Sequence, residues 1–598
     1  MKRTPTMLLV SVITALAACA TNPVANQSSS SLLRQVYEDF FEEQLRLSPL
    51  SATYLGDERY NDRLENPATV EFERAALDID RRYLARARAV GFKDLQGPDR
   101  ISFDVFVSER EQSLAGARYP ERLLPIDQMD SMASTIAVLG SGASAQPFRT
   151  VLDYDNFLKR LGGFVTWSDS AIAAMREGMR RGVVQPRVLM LKTVPQLREI
   201  GVADARASVF WQPLKAMPQS FSAADQARLE LAYADALSNK VLPAYRKLAD
   251  FIENEYLPAT RVSVAWSALP EGEAWYNFRI ARQTTTQMTA NEIHQVGLTE
   301  VARIRSDMEQ VRQQVGFSGD LRSFFRFLQS DQRFVAPNAD KLLDDYRALK
   351  ARIAALLPAM FADFPKADYE VRAVEPFRAR SAPGASYQPS SADGKRPGIF
   401  YINTYNLSAQ PIFGMETLSL HEAAPGHHFQ ISIQQELTDL PRFRRFGGYT
   451  AYAEGWALYC ESIGKELGLF KDPYQWYGRL SDEMLRAMRL VVDTGIHAKG
   501  WSREQAIQFM SDNSSMAASD IEAEVERYIA WPGQALSYKV GQLRMTAMRA
   551  HAQKLLGQKF DIKAFHSQML RDGSLPLDVL EAKIDRWIAN VNAQSSSR

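Results

Sequence analysis

Three of the chain's seven histidines fall within His421-Glu422-Ala423-Ala424-Pro425-Gly426-His427-His428, beside a glutamate. Two imidazoles and an adjacent carboxylate are what a catalytic zinc of the His-Glu-x-x-His kind requires. Two nitrogens come from one helical segment, and the glutamate beside the first serves as general base. This reading makes His421 the first ligand and Glu422 the base, with His427 or His428 as second ligand. The spacing departs from the usual one, in which ligands four residues apart share a helix face. A six-residue step turns a straight helix by roughly 240° net, so His427 would point away from His421. Pro425 lacks the N–H that would bond the carbonyl of His421 and crowds that carbonyl, while Gly426 tolerates unusual φ. The two together predict a local widening of the helix that brings His427 back toward His421.

A third ligand is expected from Tyr452-Ala453-Glu454-Gly455-Trp456-Ala457-Leu458-Tyr459-Cys460-Glu461. This stretch resembles the Glu-Gly-Phe-Ala segment that carries the third zinc ligand in aminopeptidase N relatives, a match that implies Glu454 as the carboxylate ligand. A Gly-His ending, common to several zinc-peptidase motifs, favours His427 over His428. Glu461 lies two turns beyond Glu454 on the same face and is placed to support an imidazole from behind. Taken together, His-Glu-x-x-Pro-Gly-His-His followed by Glu-Gly-Trp-Ala resembles the bacterial family called Domain of Unknown Function 885, placed among the gluzincin metallopeptidases. Further matching pieces are Thr284-Thr285-Thr286 with Glu292-Ile293-His294, Arg396-Pro397-Gly398, Asp493-Thr494-Gly495-Ile496-His497, and Phe565-His566. The resemblance implies a mainly α, large bilobed zinc-peptidase-like fold with a small β-sheet beside the active-site cleft.

Two more residues are candidates for stabilising the oxyanion of a hydrolytic reaction. Asp493 and His497 are four apart and able to pair on a helix, either leaving His497 to donate near the metal or forming an ordinary structural pair. Tyr538, with Tyr528 as competitor, lies downstream of the metal segments, where a hydroxyl would stabilise a tetrahedral intermediate. The remaining histidines, His294, His551 and His566, read as structural. Cys460 reads as a small buried hydrophobe rather than a nucleophile.

The elements that must position these groups are helical for most of the chain. From Leu32 to Tyr256 the sequence reads as helices broken by Pro and Gly, forming an N-terminal helical lobe over 32–258. A shift to Pro, Gly and short apolar runs near Pro258 marks the start of a catalytic lobe over 259–598. There Thr289-Ala290-Asn291-Glu292 has the form of a capping box, and Val301, Ile304, Met308, Val311 and Val315 form a core-facing stripe. Gly398 to Thr404 is the best strand. Alternation of Phe400 and Ile402 with Tyr401 and Asn403 predicts one buried and one polar face. By the gluzincin resemblance this is an exposed edge to which a peptide adds as a further strand, and the alternative is a strand in a small structural hairpin.

Composition bounds the rest. A hydrophobic content of 46% and charged content of 24% are ordinary for a globular protein, and a net charge of +1 excludes nucleic acid as partner. Lys2 and Arg3 ahead of the apolar run Met7–Ala18, then Leu16-Ala17-Ala18-Cys19, have the form of a lipoprotein signal over 1–18. Cys19 would carry the lipid, and 19–31 would be a flexible tether. Ala20 after the cysteine resembles the pattern sorted to the outer membrane, which predicts the periplasmic face of that membrane. The expected activity is zinc-dependent peptide hydrolysis. The alternatives are hydrolysis of a non-peptide amide or ester, and an inactive envelope lipoprotein that binds peptides or proteins. Other divalent ions suit such ligands as well.

Overall fold

The computed structural model describes residues 28–375, 379, 383–390 and 396–596. The expected signal segment, Cys19 and most of the tether lie outside these residues. Where the tether was expected to run on to residue 31, a helix has already begun. In α1 (Ser29–Leu47) the Ser28 hydroxyl accepts from the amide of Ser31, satisfying one of the free donors of the first turn.

The fold is mainly α with one small sheet. The helices used below are α2 (Val70–Val90), α3 (Gly97–Gly116), α4 (Gly272–Thr284), α5 (Ala290–Gln314), α6 (His427–Glu436), α7 (Thr450–Ser462), α8 (Pro473–Lys499), α9 (Ala518–Ala530) and α10 (Leu536–Leu556). The capping box that opens α5 is formed in both directions between Thr289 and Glu292. Its stripe Val301, Ile304, Met308 and Val311 is buried against α8. Each such side chain contributes about 1.5–3 kcal/mol, and truncating Ile304 or Met308 to Ala would cost about 2–5 kcal/mol.

Two large apolar cores form among the described residues, and each draws on both halves of the sequence. Leu33 to Phe106, from α1–α3, pack in the same core as Leu420, Trp456 and Val540, so the expected boundary at 258 does not separate the cores. The other core joins Tyr154 to Trp275 with one face of α8.

The sheet has the order β1 (Tyr369–Ala373), β3 (Gly398–Ile402), β2 (Ala385–Gln388), with β1 parallel and β2 antiparallel to β3. The strand expected at the edge is therefore the central one, because both of its hydrogen-bonding sides are taken. Its alternation is real, but both faces are buried: Phe400 and Ile402 enter the core shared with α1–α3, and Ile399 and Tyr401 join a small cluster with Val374 and Ala379. The edge strand nearest the histidine segment is β2, which packs against the turn carrying His421.

Candidate metal centre

The chain reaches His421 through a short helix, Met415–Leu418, that widens into a π-helical turn over Ser419–Ala423. A single helix with a bulge was expected. Instead the helix stops at Ala423, Ala424 is extended, and α6 starts afresh at His427. Widening and break together turn His427 back. Gly426 is required by close approach, since a Cβ there would lie 1.9 Å from the His421 carbonyl oxygen and 2.3 Å from that of Leu420. The turn is held from the other side by α7, where the Trp456 indole N–H donates to the Pro425 carbonyl at 2.8 Å.

The same helix delivers Glu454. Its approach is set by α10, against which α7 packs at Gly455 and Gly541; a Cβ on Gly541 would fall 2.0 Å from the Ala451 carbonyl. Only glycines let the two backbones come so near, and the result fixes the depth at which Glu454 enters the site.

His421, His427 and Glu454 converge as one ligand set. His421 Nε2 and His427 Nε2 each stand 3.4 Å from the same atom, Glu454 Oε2. That separation is long for a hydrogen bond, and Oε2 is buried with no hydrogen-bond partner. It matches the edge, about 3.4 Å, of a tetrahedron with bonds of about 2.1 Å, the geometry of zinc held by nitrogen and oxygen. The donor set therefore fits a divalent cation. His421 is 4% exposed in its side chain, against 13% for His427 and 19% for Glu454, so the group is reachable from solvent on one side.

Behind His421, Nδ1 lies 2.7 Å from Glu461 Oε1, and both side chains are buried. Such a carboxylate fixes the ring's tautomer and orientation and leaves Nε2 as the ligand atom. Burial alone would lower the His421 pKa, but its contacts with Glu454 and Glu461, with the Glu422 charge nearby, lift it to about 10. Burial would raise the Glu454 carboxyl, yet the His427 charge and the contacts with both imidazoles hold it well below the usual carboxylate range. Three carboxylates thus surround two imidazoles, a field that draws positive charge. Glu422 is half-buried and has no hydrogen-bond or ion-pair partner among the described residues.

His428, the alternative second ligand, turns the other way. Its Nδ1 meets the Tyr387 hydroxyl of β2 at 2.9 Å and its ring packs on Tyr369 of β1, with burial lowering its pKa to about 4. His428 therefore anchors the sheet to the histidine segment. Cys460 is fully buried, with its thiol pushed well up by burial, as expected of a packing residue.

The expected oxyanion donors divide. The backbone is helical through Asp493 and His497, but the two do not pair. Asp493 accepts from the Tyr276 hydroxyl and the Gly533 amide, and burial raises its pKa to about 7. His497 accepts from the Trp266 amide through Nδ1 and donates through Nε2 to the Tyr528 carbonyl. Both ring nitrogens are spent, and burial lowers its pKa to about 3, so His497 has no donor left for an oxyanion. Tyr528 is likewise committed, its hydroxyl donating to Glu524 at 2.6 Å. Tyr538 is different. It accepts from Arg527 at 3.2 Å and stacks beneath Arg489, while its own O–H has no acceptor among the described residues. It lies one turn before Gly541, where α10 touches α7 beside Glu454.

A family model described as bacterial protein of unknown function, DUF885, matches residues 49–584. A crystal structure of a "putative lipoprotein" from Colwellia psychrerythraea is 30% identical, with a TM-score of 0.87, covering 94% of this chain and all of that one. A "putative lipoprotein of unknown function" from Shewanella oneidensis is 19% identical, with a TM-score of 0.71 over 92% of this chain and 99% of that one, and shares the fold. A search among curated proteins finds no match. No helix among the described residues is long and apolar enough to cross a membrane.

Proposed function

The chain belongs to the DUF885 family of bacterial proteins, and from that premise we propose that it is a gluzincin-type zinc hydrolase of peptide bonds, lipid-anchored in the cell envelope through Cys19. The observation that carries the reading is the pair of imidazole nitrogens set 3.4 Å from one partnerless carboxylate oxygen. A zinc ion bound there would supply Lewis acidity toward the scissile carbonyl and acidify water.

The chain's own residues account for the remaining steps. Glu422 takes a proton from the attacking water and passes it to the leaving amine, a role suited to a half-buried carboxylate with no hydrogen-bond or ion-pair partner among the described residues. Tyr538, whose O–H has no acceptor among the described residues, donates it to the oxygen of the tetrahedral intermediate. Glu461 holds His421 in place. The outer edge of β2, beside the turn that carries His421, offers main-chain groups along which an extended peptide aligns. The anchor on Cys19 rests on the signal-like N-terminus and on the description of the Colwellia relative as a lipoprotein, and the outer-membrane location rests on Ala20 after the cysteine.

Metal content by mass spectrometry, with digestion of a mixed peptide library with and without chelator, tests the reading. One zinc per chain and chelator-sensitive cleavage are expected, and Glu422→Gln should retain the metal while losing cleavage. A metal-loaded wild-type protein that cleaves no peptide would leave the binding-scaffold or non-peptide alternative in its place.

A further inference from the structure

Away from the metal centre, α2, the C-terminal end of α3, residues 119–135 and α4 enclose an open cavity of about 730 Å³. Phe72, Ala76, Leu77, Leu124, Met132 and Phe278 supply an apolar wall. Asp127 contributes a carboxylate whose position is set by the backbone. Its Oδ1 accepts from the amides of Met129 at 2.7 Å and Asp130 at 2.8 Å, and its own amide donates to the Asp130 carbonyl. A bridge between Ile126 and Ser131 closes the base of this turn. Both hydrogen bonds fall on one oxygen, so Oδ2 is aimed without a partner among the described residues.

The other charges of the lining are mostly cancelled. Glu121 pairs with Arg279, and Arg122 pairs with Glu73 and Glu177. Asp127 and Asp130 have no cation among the described residues, and Arg282, the one cation of the lining with no ion-pair partner among them, is solvent-exposed. Burial raises the Asp127 carboxyl to about 6, the sign of a charge that lacks a counter-ion. A pre-positioned anion at the end of an apolar wall is complementary to a cation that carries hydrocarbon.

We propose that this cavity binds a small apolar molecule bearing a protonated primary amine, with the ammonium on Asp127 and the hydrocarbon against Phe72, Leu124, Met132 and Phe278. The inference does not depend on the hydrolase reading. Such an ammonium occurs in free amines and at the N-terminus of peptides with an apolar first residue.

Titration calorimetry on the full chain with phenethylamine tests it. Saturable 1:1 binding is expected, unchanged by added zinc or chelator, which separates this site from the metal centre. Asp127→Asn should weaken it at least tenfold without unfolding the turn, because an amide oxygen still accepts from Met129 and Asp130. Ala76→Trp, which fills the cavity, should abolish binding. 3-Phenylpropionate, similar in shape but opposite in charge, should not compete. Phe-Gly-Gly and its N-acetylated form then identify the source: binding of the free peptide alone marks a chain end, and binding of phenethylamine alone marks a small amine. No saturation at millimolar phenethylamine, equal affinity in Asp127→Asn, or competition by 3-phenylpropionate would overturn the proposal. Should Asp127→Asn misfold by circular dichroism, Ala76→Trp and the anionic competitor decide it.

Discussion

Gly426→Ala is the most direct test of how the two histidines are brought together. A Cβ at this position would stand 1.9 Å from the His421 carbonyl oxygen and 2.3 Å from that of Leu420, whereas real Cβ contacts essentially never fall under 3.0 Å. The His421 carbonyl must therefore retreat by about 1.1 Å, the difference between 3.0 and 1.9. Ligand positions in a metal site tolerate shifts of about 0.2 Å. A displacement several times larger, at the ligand residue itself, should weaken zinc binding more than tenfold, or about 1.4 kcal/mol. Overpacking should cost about 1–3 kcal/mol of fold stability as well. Gly414→Ala is the control, since a Cβ there meets nothing within 4 Å. Zinc affinity is read by competition with a coloured chelator, and stability by urea unfolding of the metal-free protein. If Gly426→Ala binds zinc and unfolds like wild type, the two histidines are not held by this turn and the geometric argument fails.

Glu461→Gln keeps an oxygen for the His421 Nδ1–H but removes the charge behind it, and should loosen zinc by about 10–100-fold; the same competition assay checks this, and an unchanged affinity would deny Glu461 its supporting role. Stability should also fall in mild acid. His497 and His566 have folded pKa values of about 3 and about 4, below the unfolded 6.5, because burial favours the neutral ring. Each therefore costs about 1.4 kcal/mol for every pH unit below 6.5, until its folded pKa is reached. Asp493, raised to about 7, acts in the opposite sense for one proton, since the fold then holds the proton that the unfolded chain releases. His428, at about 4, adds a third imidazole of the first kind, and Asp127, at about 6, a second carboxyl of the other. The net is about one proton, so urea unfolding at pH 5 should show about 2 kcal/mol less stability than at pH 6.5. Equal or greater stability at pH 5 would refute the assignment of neutral buried imidazoles.

The sequence by itself determined what is local. His421 and Glu422 stand out because histidine is scarce and three of seven cluster beside that glutamate, Glu454 follows from the resemblance of its segment to Glu-Gly-Phe-Ala, and the α5 capping box and apolar stripe follow from three- and four-residue steps along one helix. Pro425 and Gly426 announced a distortion, though whether the helix would bulge or break depended on neighbours. Tertiary structure decided everything that needs two distant segments. His427 and His428 are adjacent and chemically identical. Only β1 and β2 on one side and Glu454 on the other show that His428 holds the sheet while His427 faces the ligand set. His497 and Tyr528 carried credible donors until Trp266, the Tyr528 backbone and Glu524 claimed them. β3 reads as an edge by the gluzincin resemblance, and its own alternation does not correct this, because period two reports which faces a strand presents and is silent on how many strands flank it. Local periodicity fixes the direction of a side chain relative to its own backbone. What that side chain meets is set by contacts between segments far apart in the chain, whose pairing no short window of sequence contains.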